Sequence, residues 1–288
     1  MTILIAVAAL GGLTFLLAVM LVVANKKLYV FEDPRIDQVE DMLPHANCGA
    51  CGYPGCRPFA EALVTGKALP GKCTVSSDEG RAAIAEFLGV ALGSEEKLVA
   101  RLACAGGTNV ALNRAQYKGI SSCQAAALVS GGGKGCFWGC LGHGDCDVVC
   151  DFDAITMNEH SLPIVDIDKC TACGDCVEVC PKDLFSLQPV SNRLWVACKN
   201  LENGDDILED CQVGCTACGK CAMDAGPDLI TMISNLPVVN YSAMHNTREP
   251  IQRCPTGAIV WLDDEKGAIK GSQAKKIVRK GIRREGSS

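Results

Sequence analysis

Four thiols stand at Cys170-x2-Cys173-x2-Cys176-x3-Cys180, and Pro181 follows the last. Thiolate is a soft, anionic donor that suits iron and zinc. Three of them two residues apart can wrap one corner of a cubane 4Fe–4S cluster, while a fourth before proline reaches across to a second cluster. Zinc sites instead take two Cys pairs separated by a loop. The chain carries 20 Cys in 288 residues. Disulfide frameworks reach such density in short secreted chains. This chain is long enough to bury ordinary cores, and its cysteines fall in short C-x2-C runs. The chemistry that follows is electron transfer through iron–sulfur clusters in a reducing compartment.

A second motif, Cys48-x2-Cys51-x4-Cys56-x16-Cys73, opens in HANCGACGYPGC. Gly49, Gly52 and Gly55 permit a tight wrap with backbone N–H groups turned toward sulfur. A short helix over 57–65 must let Cys73 fold back to the other three. A 4Fe–4S module over 45–75 is expected, with a zinc knuckle as the alternative. A connecting region, 76–135, begins with Ser76-x-x-Glu79, which reads as a capping box. The helix it opens has an apolar stripe of Ala82, Ile84, Ala85, Leu88 and Val90 and ends at Gly93. That stripe is packing, not chemistry.

An internal repeat covers 136–262. A shift of 75 carries Cys136, Cys140, Cys146 and Cys150 onto Cys211, Cys215, Cys221 and Ala225. After a one-residue deletion, a shift of 74 carries Cys170, Cys173, Cys176 and Cys180-Pro181 onto Met244, Thr247, Pro250 and Cys254-Pro255. Strand-like runs follow the cysteines in both halves (AITM and LITMI, PIVDI and PVVNY). The halves read as copies of one ferredoxin unit: a two-cluster domain over 136–192 and a degenerate one-cluster domain over 193–264. In a two-cluster unit, three cysteines of one motif share a cluster with the last cysteine of the other. The second copy keeps Cys215, Cys218, Cys221 and Cys254 as one full set. Its four lost slots, Ala225, Met244, Thr247 and Pro250, form the other set.

In the first copy, Cys150, Cys170, Cys173 and Cys176 make one set. The other needs Cys180 with Cys140 and Cys146. Its middle slot holds His143, so Cys136 is the expected substitute, although histidine can itself ligate a cluster. Cys104, Cys123, Cys198 and Cys211 remain. Cys104 ends LVARLAC, Cys198 ends RLWVAC, and Cys123 and Cys211 each begin Cys-Gln. Their spacings fit no known motif, so buried or redox-active thiols are preferred for them. Two disulfides or a fifth cluster are the alternatives. Four clusters are expected, and a fifth is left open.

Ile3 to Ala24 contains no charged residue. As a helix these 22 residues span about 33 Å, enough for the hydrocarbon core of a bilayer. A signal peptide would have a basic segment before the apolar run; here Lys26 and Lys27 follow it instead. A retained single-pass anchor over 1–25 and a linker over 26–44 are expected, with the C-terminal side in the cytoplasm by the positive-inside rule. A helix without ionisable groups forms no ion path. Net charge is −6; eight Lys/Arg and one acid from Lys266 onward make that stretch of the 265–288 tail +7 and leave −13 on the 265 residues before it. The tail is read as solvated, with anionic lipid or an acidic partner as alternatives. Nucleic acid is not an expected partner. GGGK at 131–134 is too short for a phosphate-binding loop, and no active site is expected. The fold class is α+β: a single N-terminal transmembrane helix, a small 4Fe–4S module, then duplicated bacterial-type ferredoxin-like domains.

The anchor, the Cys48 module and the repeats, with segments ANCGACGYPGC, GCLGHGDC, FDAITM and KCTACGDCVEVCP, resemble the B subunit of Rnf electron-transport complexes over nearly the whole chain. The first module also resembles that of corrinoid iron–sulfur proteins, but nothing reads as their larger barrel domain. The Rnf resemblance implies a six-subunit complex of the inner (cytoplasmic) membrane. Such a complex couples electron flow between ferredoxin and NAD to Na⁺ or H⁺ translocation. Its B component would relay electrons between soluble ferredoxin or flavodoxin and the flavin and membrane subunits. A membrane-anchored polyferredoxin subunit of another oxidoreductase is one alternative, which leaves the Cys48 spacing unexplained. A redox-sensing iron–sulfur protein is another, which needs only one labile cluster.

Overall fold

A computed structural model describes residues 1–28 and 32–275. Helix α1 (Thr2–Leu28) includes Val7–Leu28, a stretch long and apolar enough to cross a membrane and buried nowhere against the protein. Thr14 turns its Oγ1 back to the Leu10 carbonyl at 3.0 Å, which satisfies the hydroxyl without water. Lys26 and Lys27 occupy the last turn.

The described chain forms two compact units. The first comprises Met1–Asn47, Tyr53–Pro70 and Ser76–Leu92. Its helices after α1 are α2 (Pro34–Met42), α3 (Cys56–Val64) and α4 (Asp78–Leu88). Asp33 caps α2 and Pro34 opens it, a preferred pairing because proline lacks the N–H that the first turn leaves unpaired. Helix α2 packs on α3 and α4, and Ile36, Val39, Phe59, Leu63 and Ile84 are buried. Arg57 reaches Glu32, Asp37 and Glu40 at 2.5, 2.9 and 2.7 Å. These pairs are half exposed and orient α3 on α2 more than they stabilise it.

Two local expectations shift. Helix α3 starts at Cys56 and ends at Val64, one residue earlier at each end than the 57–65 reading. The cap of α4 is Ser77, not Ser76: Ser77 Oγ accepts the Gly80 N–H at 3.1 Å. The helix ends at Gly89, not Gly93, because Gly89 takes the left-handed conformation (φ 66°) that a residue without Cβ adopts freely. Ile84 and Ala85 are its buried residues.

The second unit comprises Cys48–Gly52, Gly71–Val75 and the described residues from Gly93 onward. Its first elements are β1 (Leu98–Leu102), α5 (Cys123–Ala127), α6 (Asp145–Val148), β2 (Ile155–Met157), β3 (Pro163–Val165), α7 (Asp175–Glu178) and β4 (Phe185–Pro189). Then come β5 (Leu194–Val196), α8 (Ile207–Asp210), α9 (Lys220–Ala225), β6 (Ile230–Ile233), β7 (Leu236–Val239), α10 (Glu249–Gln252), β8 (Ile259–Asp263) and β9 (Gly267–Ile269). All named pairing is antiparallel. Ile155 of β2 faces Val165 of β3, and Ile230 of β6 faces Val239 of β7. Leu98 of β1 faces Pro189 of β4, Leu194 of β5 faces Trp261 of β8, and β8 also pairs with β9.

Elements recur at fixed offsets. Helix α9 and strand β6 begin 75 residues after α6 and β2, and α10 begins 74 after α7. Beyond β1, the Ala103 N–H donates to Leu184 O at 2.8 Å; beyond β5, the Ala197 N–H donates to Ala258 O at 2.8 Å. One core joins Val99, Ile155 and Phe185 to Cys146, Cys170 and Cys176. Another joins Leu194, Ile230, Ile251 and Ile259 to Cys215, Cys221 and Cys254. Trp195 Nε1 donates to Leu102 O at 2.9 Å, and Tyr241 OH to Leu194 O at 2.8 Å. Five Lys/Arg of the basic tail, and residues 29–31 of the linker, lie outside the described residues.

Replacing Ser77 with Ala should cost about 1 kcal/mol of unfolding free energy, and Ser77→Gly only a few tenths. Urea denaturation followed by circular dichroism measures both.

Candidate iron–sulfur centres

Cys150, Cys170, Cys173 and Cys176 surround one open-mouthed cavity of about 330 Å³, walled by Ala100, Phe152, Ile155 and Leu187. Cys215, Cys218, Cys221 and Cys254 surround another of about 340 Å³, walled by Met232, Pro237 and Ile259. Each set is the one the spacing assigns. Backbone N–H groups donate to sulfur at the first cavity, from Ala100 to Cys170 at 3.5 Å and from Ala154 to Cys150 at 3.4 Å. Among the described residues, no three His, Cys, Asp or Glu side chains close on a point as one metal ion needs. Four sulfurs that line one site without closing on a point suit a cage of several irons better than a single tetrahedral zinc.

The wraps share one backbone course. In Cys170-Thr-Ala-Cys-Gly, Ala172 and Gly174 take φ 61° and 101°; in Cys215-Thr-Ala-Cys-Gly, Ala217 and Gly219 take φ 55° and 70°. Left-handed residues between right-handed ones turn successive N–H groups inward and make an anion-binding nest. Alanine adopts that region at a cost of about 1–2 kcal/mol, so the loop is held there by its surroundings. Cys140 to Cys146 follows the same course, with Gly142 at φ 76° and Gly144 at φ 85°, but His143 holds the middle position. His143 stacks edge-on with Tyr117 at 5.5 Å and lines a polar cleft with His160, Lys134 and Cys140.

Cys136 does not join Cys140, Cys146 and Cys180 as the spacing suggested. It lines a third cavity, also about 330 Å³, with Cys104, Cys198 and Cys211. Cys123, which the sequence grouped with those three, lies instead beside Cys146. The physical reason is Asp145. Its carboxylate accepts the Cys123 N–H at 2.8 Å, the Gln124 N–H at 3.1 Å and the Ser122 hydroxyl at 2.8 Å. The start of α5 is thereby pinned to the residue before Cys146. Burial opposes the charge on Asp145, but these hydrogen bonds outweigh it and hold the carboxyl below its ordinary range. The 75-residue shift already aligned Cys136 with Cys211; that was the available signal. Nothing in the sequence marks Asp145.

In the Cys48 motif, Gly49 and Gly52 take φ 73° and 80°, and Asn47 Oδ1 accepts the Cys56 N–H at 2.8 Å. A Cβ on Gly55 would lie 2.9 Å from that oxygen. Cys73 is buried; Cys48, Cys51 and Cys56 are half-buried.

Burial raises many of these thiols. Cys146 is pushed up to about 12 by burial and then by the Cys123 and Cys180 sulfurs. Cys176 and Cys221 also reach about 12, by burial and then by neighbouring sulfurs of their own cavities. Cys136 rises to about 11, by burial and then by Cys211. Bare thiols here keep their protons at neutral pH, and holding them as thiolates calls for metal cations.

Two family models match the chain: one described as "Putative Fe-S cluster" over 43–75 and a 4Fe-4S dicluster domain over 136–184. Among curated proteins, the chain is 41% identical to the B component of the Na(+)-translocating ferredoxin:NAD(+) oxidoreductase complex of Acetobacterium woodii, covering 89% of this chain and 77% of the relative. It is 37% identical to the B component of the proton-translocating ferredoxin:NAD(+) oxidoreductase complex of Clostridium ljungdahlii, over 86% of this chain and 88% of the relative. It is 34% identical to the B component of the ion-translocating oxidoreductase complex of Methanosarcina acetivorans, over 88% and 96%.

Asp145→Ala removes the acceptor of three hydrogen bonds. It should destabilise the second unit by about 1–3 kcal/mol and speed amide exchange at Cys123 and Gln124, read by hydrogen–deuterium exchange mass spectrometry.

Proposed function

The chain belongs to the B-subunit family of ion-translocating ferredoxin:NAD oxidoreductase (Rnf) complexes, and from that membership we infer how its residues serve an electron relay. It is an iron–sulfur electron-transfer subunit. We propose that Cys48, Cys51, Cys56 and Cys73 hold one 4Fe–4S cluster, Cys150, Cys170, Cys173 and Cys176 a second, and Cys215, Cys218, Cys221 and Cys254 a third. Cys140, Cys146 and Cys180 supply three ligands of a fourth. The observation that carries this reading is the pair of cavities, each lined by the four cysteines of one motif set.

Bound there, a 4Fe–4S cluster takes up and gives back one electron at a time. The protein's part is to fix distance and tune energy. Apolar walls such as Phe152 and Leu187 exclude water, and N–H groups aimed at Cys150 and Cys170 favour the more negative state. Cys218 is exposed, which gives a partner a close approach to the third cluster. The residues from 136 to 264 are two copies of one ferredoxin-like unit, 136–192 and 193–264. The recurring helix and strand offsets support this division.

Helix α1 is the anchor, with 26–44 as linker, 45–75 as the first cluster module, 76–135 as connection and 265–288 as a basic tail. Lys26 and Lys27 at its end support a single-pass topology with the cluster domains on the cytoplasmic side. The apolar run of α1 carries no ionisable group, so Na⁺ or H⁺ moves through other subunits. Soluble ferredoxin or flavodoxin on one side and flavin and membrane subunits on the other are the proposed electron partners.

The test is to mix the anaerobically purified full-length chain, in detergent, with reduced ferredoxin and follow its visible absorbance. Bleaching is expected. Cys254→Ala and Cys173→Ala should each remove about four irons. A chain that stays oxidised, or that carries zinc in place of iron, would refute the relay.

A further inference from the structure

The third cavity belongs to none of those sets. We propose that Cys104, Cys136, Cys198 and Cys211 ligate a further 4Fe–4S cluster, and that Cys123 completes the set of Cys140, Cys146 and Cys180. This rests on the relay reading above and extends it to all 20 cysteines.

The cavity, like the other two, is lined by four cysteines. Gly106 keeps space for the sulfurs: a Cβ there would meet Cys211 Sγ at 3.1 Å and Cys104 Sγ at 3.7 Å. Cys104 Sγ accepts N–H groups from Gly106 and Cys140, each at 3.4 Å. Cys198 Sγ accepts them from Asn200 at 3.4 Å and Cys215 at 3.3 Å. A neutral thiol is a weak acceptor; two N–H donors on each of two sulfurs, Cys198 buried and Cys104 half-buried, suit thiolates that bind iron. Lys134 lines the cavity and donates to the Gly106 and Cys140 carbonyls, which brings an ammonium to the rim of an anionic site.

The ligands come in matched pairs. Cys104 and Cys198 each lie two residues past the strand that precedes them, β1 or β5. Each accepts from the residue two ahead and from the first cysteine of a wrap. Cys136 and Cys211 each stand four residues before that same cysteine, Cys140 or Cys215. The four sulfurs thus form two like pairs, Cys104 of the connecting region with Cys136 and Cys198 with Cys211, and a wrap cysteine gives one hydrogen bond to each pair. The same geometry leaves the wrap of Cys140 and Cys146 short of a sulfur at His143, and Asp145 holds Cys123 beside it.

The experiment counts iron and acid-labile sulfide on the full-length chain, purified anaerobically in detergent, and records EPR of the reduced form. About 20 irons are expected, five clusters of four. Cys198→Ser and Cys136→Ser should each lose about four and remove the same EPR signal, while Cys123→Ser should lose about four and remove a different one. About 16 irons in the unaltered chain, with Cys198→Ser retaining all of them, would overturn the fifth site and leave the relay standing. So would a Cys136→Ser spectrum that lacks the same signal as Cys140→Ser. Zinc in place of iron would instead overturn the relay itself. The count on the unaltered chain decides even where a variant fails to fold.

Discussion

Buried sulfur is the constraint on which this architecture turns. Four thiolates around iron and sulfide form an anion inside an apolar core, and buried charge is costly unless it is paired and hydrogen-bonded. Side chains supply little of that compensation here. The backbone supplies it, through N–H groups that donate to cysteine sulfurs and wraps with left-handed residues at fixed positions. Ala172 and Ala217 hold positive φ although they carry a Cβ, which shows how strongly the loop geometry is imposed.

The modest size of everything else follows. The strands of the second unit run from three to five residues, and most of its sheets have two strands. Such hairpins are marginal alone. Their buried residues share cores with the cysteines themselves, Ile155 with Cys170 and Ile230 with Cys215. On the proposed reading metal binding is part of folding, since ligands that are scattered in the unfolded chain meet only around the cluster.

The join between the halves has the same logic. Ala105 donates its N–H to Ala197 O at 3.1 Å, which sets the ends of the β1 and β5 segments side by side. Trp195 spans from one segment to the Leu102 carbonyl of the other. Cys104 and Cys198 follow directly after these contacts, so the union of the two segments also brings their sulfurs to one cavity. Small residues flank them there, Ala103, Gly106 and Ala197, and leave room for a cluster.

Spacing alone determined much of this protein. The apolar run that becomes α1, the strands at AITM and LITMI, and the two cysteine sets that line the first and second cavities were all legible, because apolar runs and the wrap around a cubane are local patterns with fixed residue separations. Only the tertiary structure shows Cys104, Cys136, Cys198 and Cys211 lining one cavity and Cys123 lying beside Cys146. These sulfurs come from distant segments, and their meeting depends on the hydrogen bonds from Ala105 to Ala197 and from Trp195 to Leu102 and on one carboxylate, Asp145, that ties α5 to the wrap before Cys146. Helix ends also fell to it: Gly89 and Gly93 are equal as letters, and α4 stops where Gly89 takes the left-handed conformation.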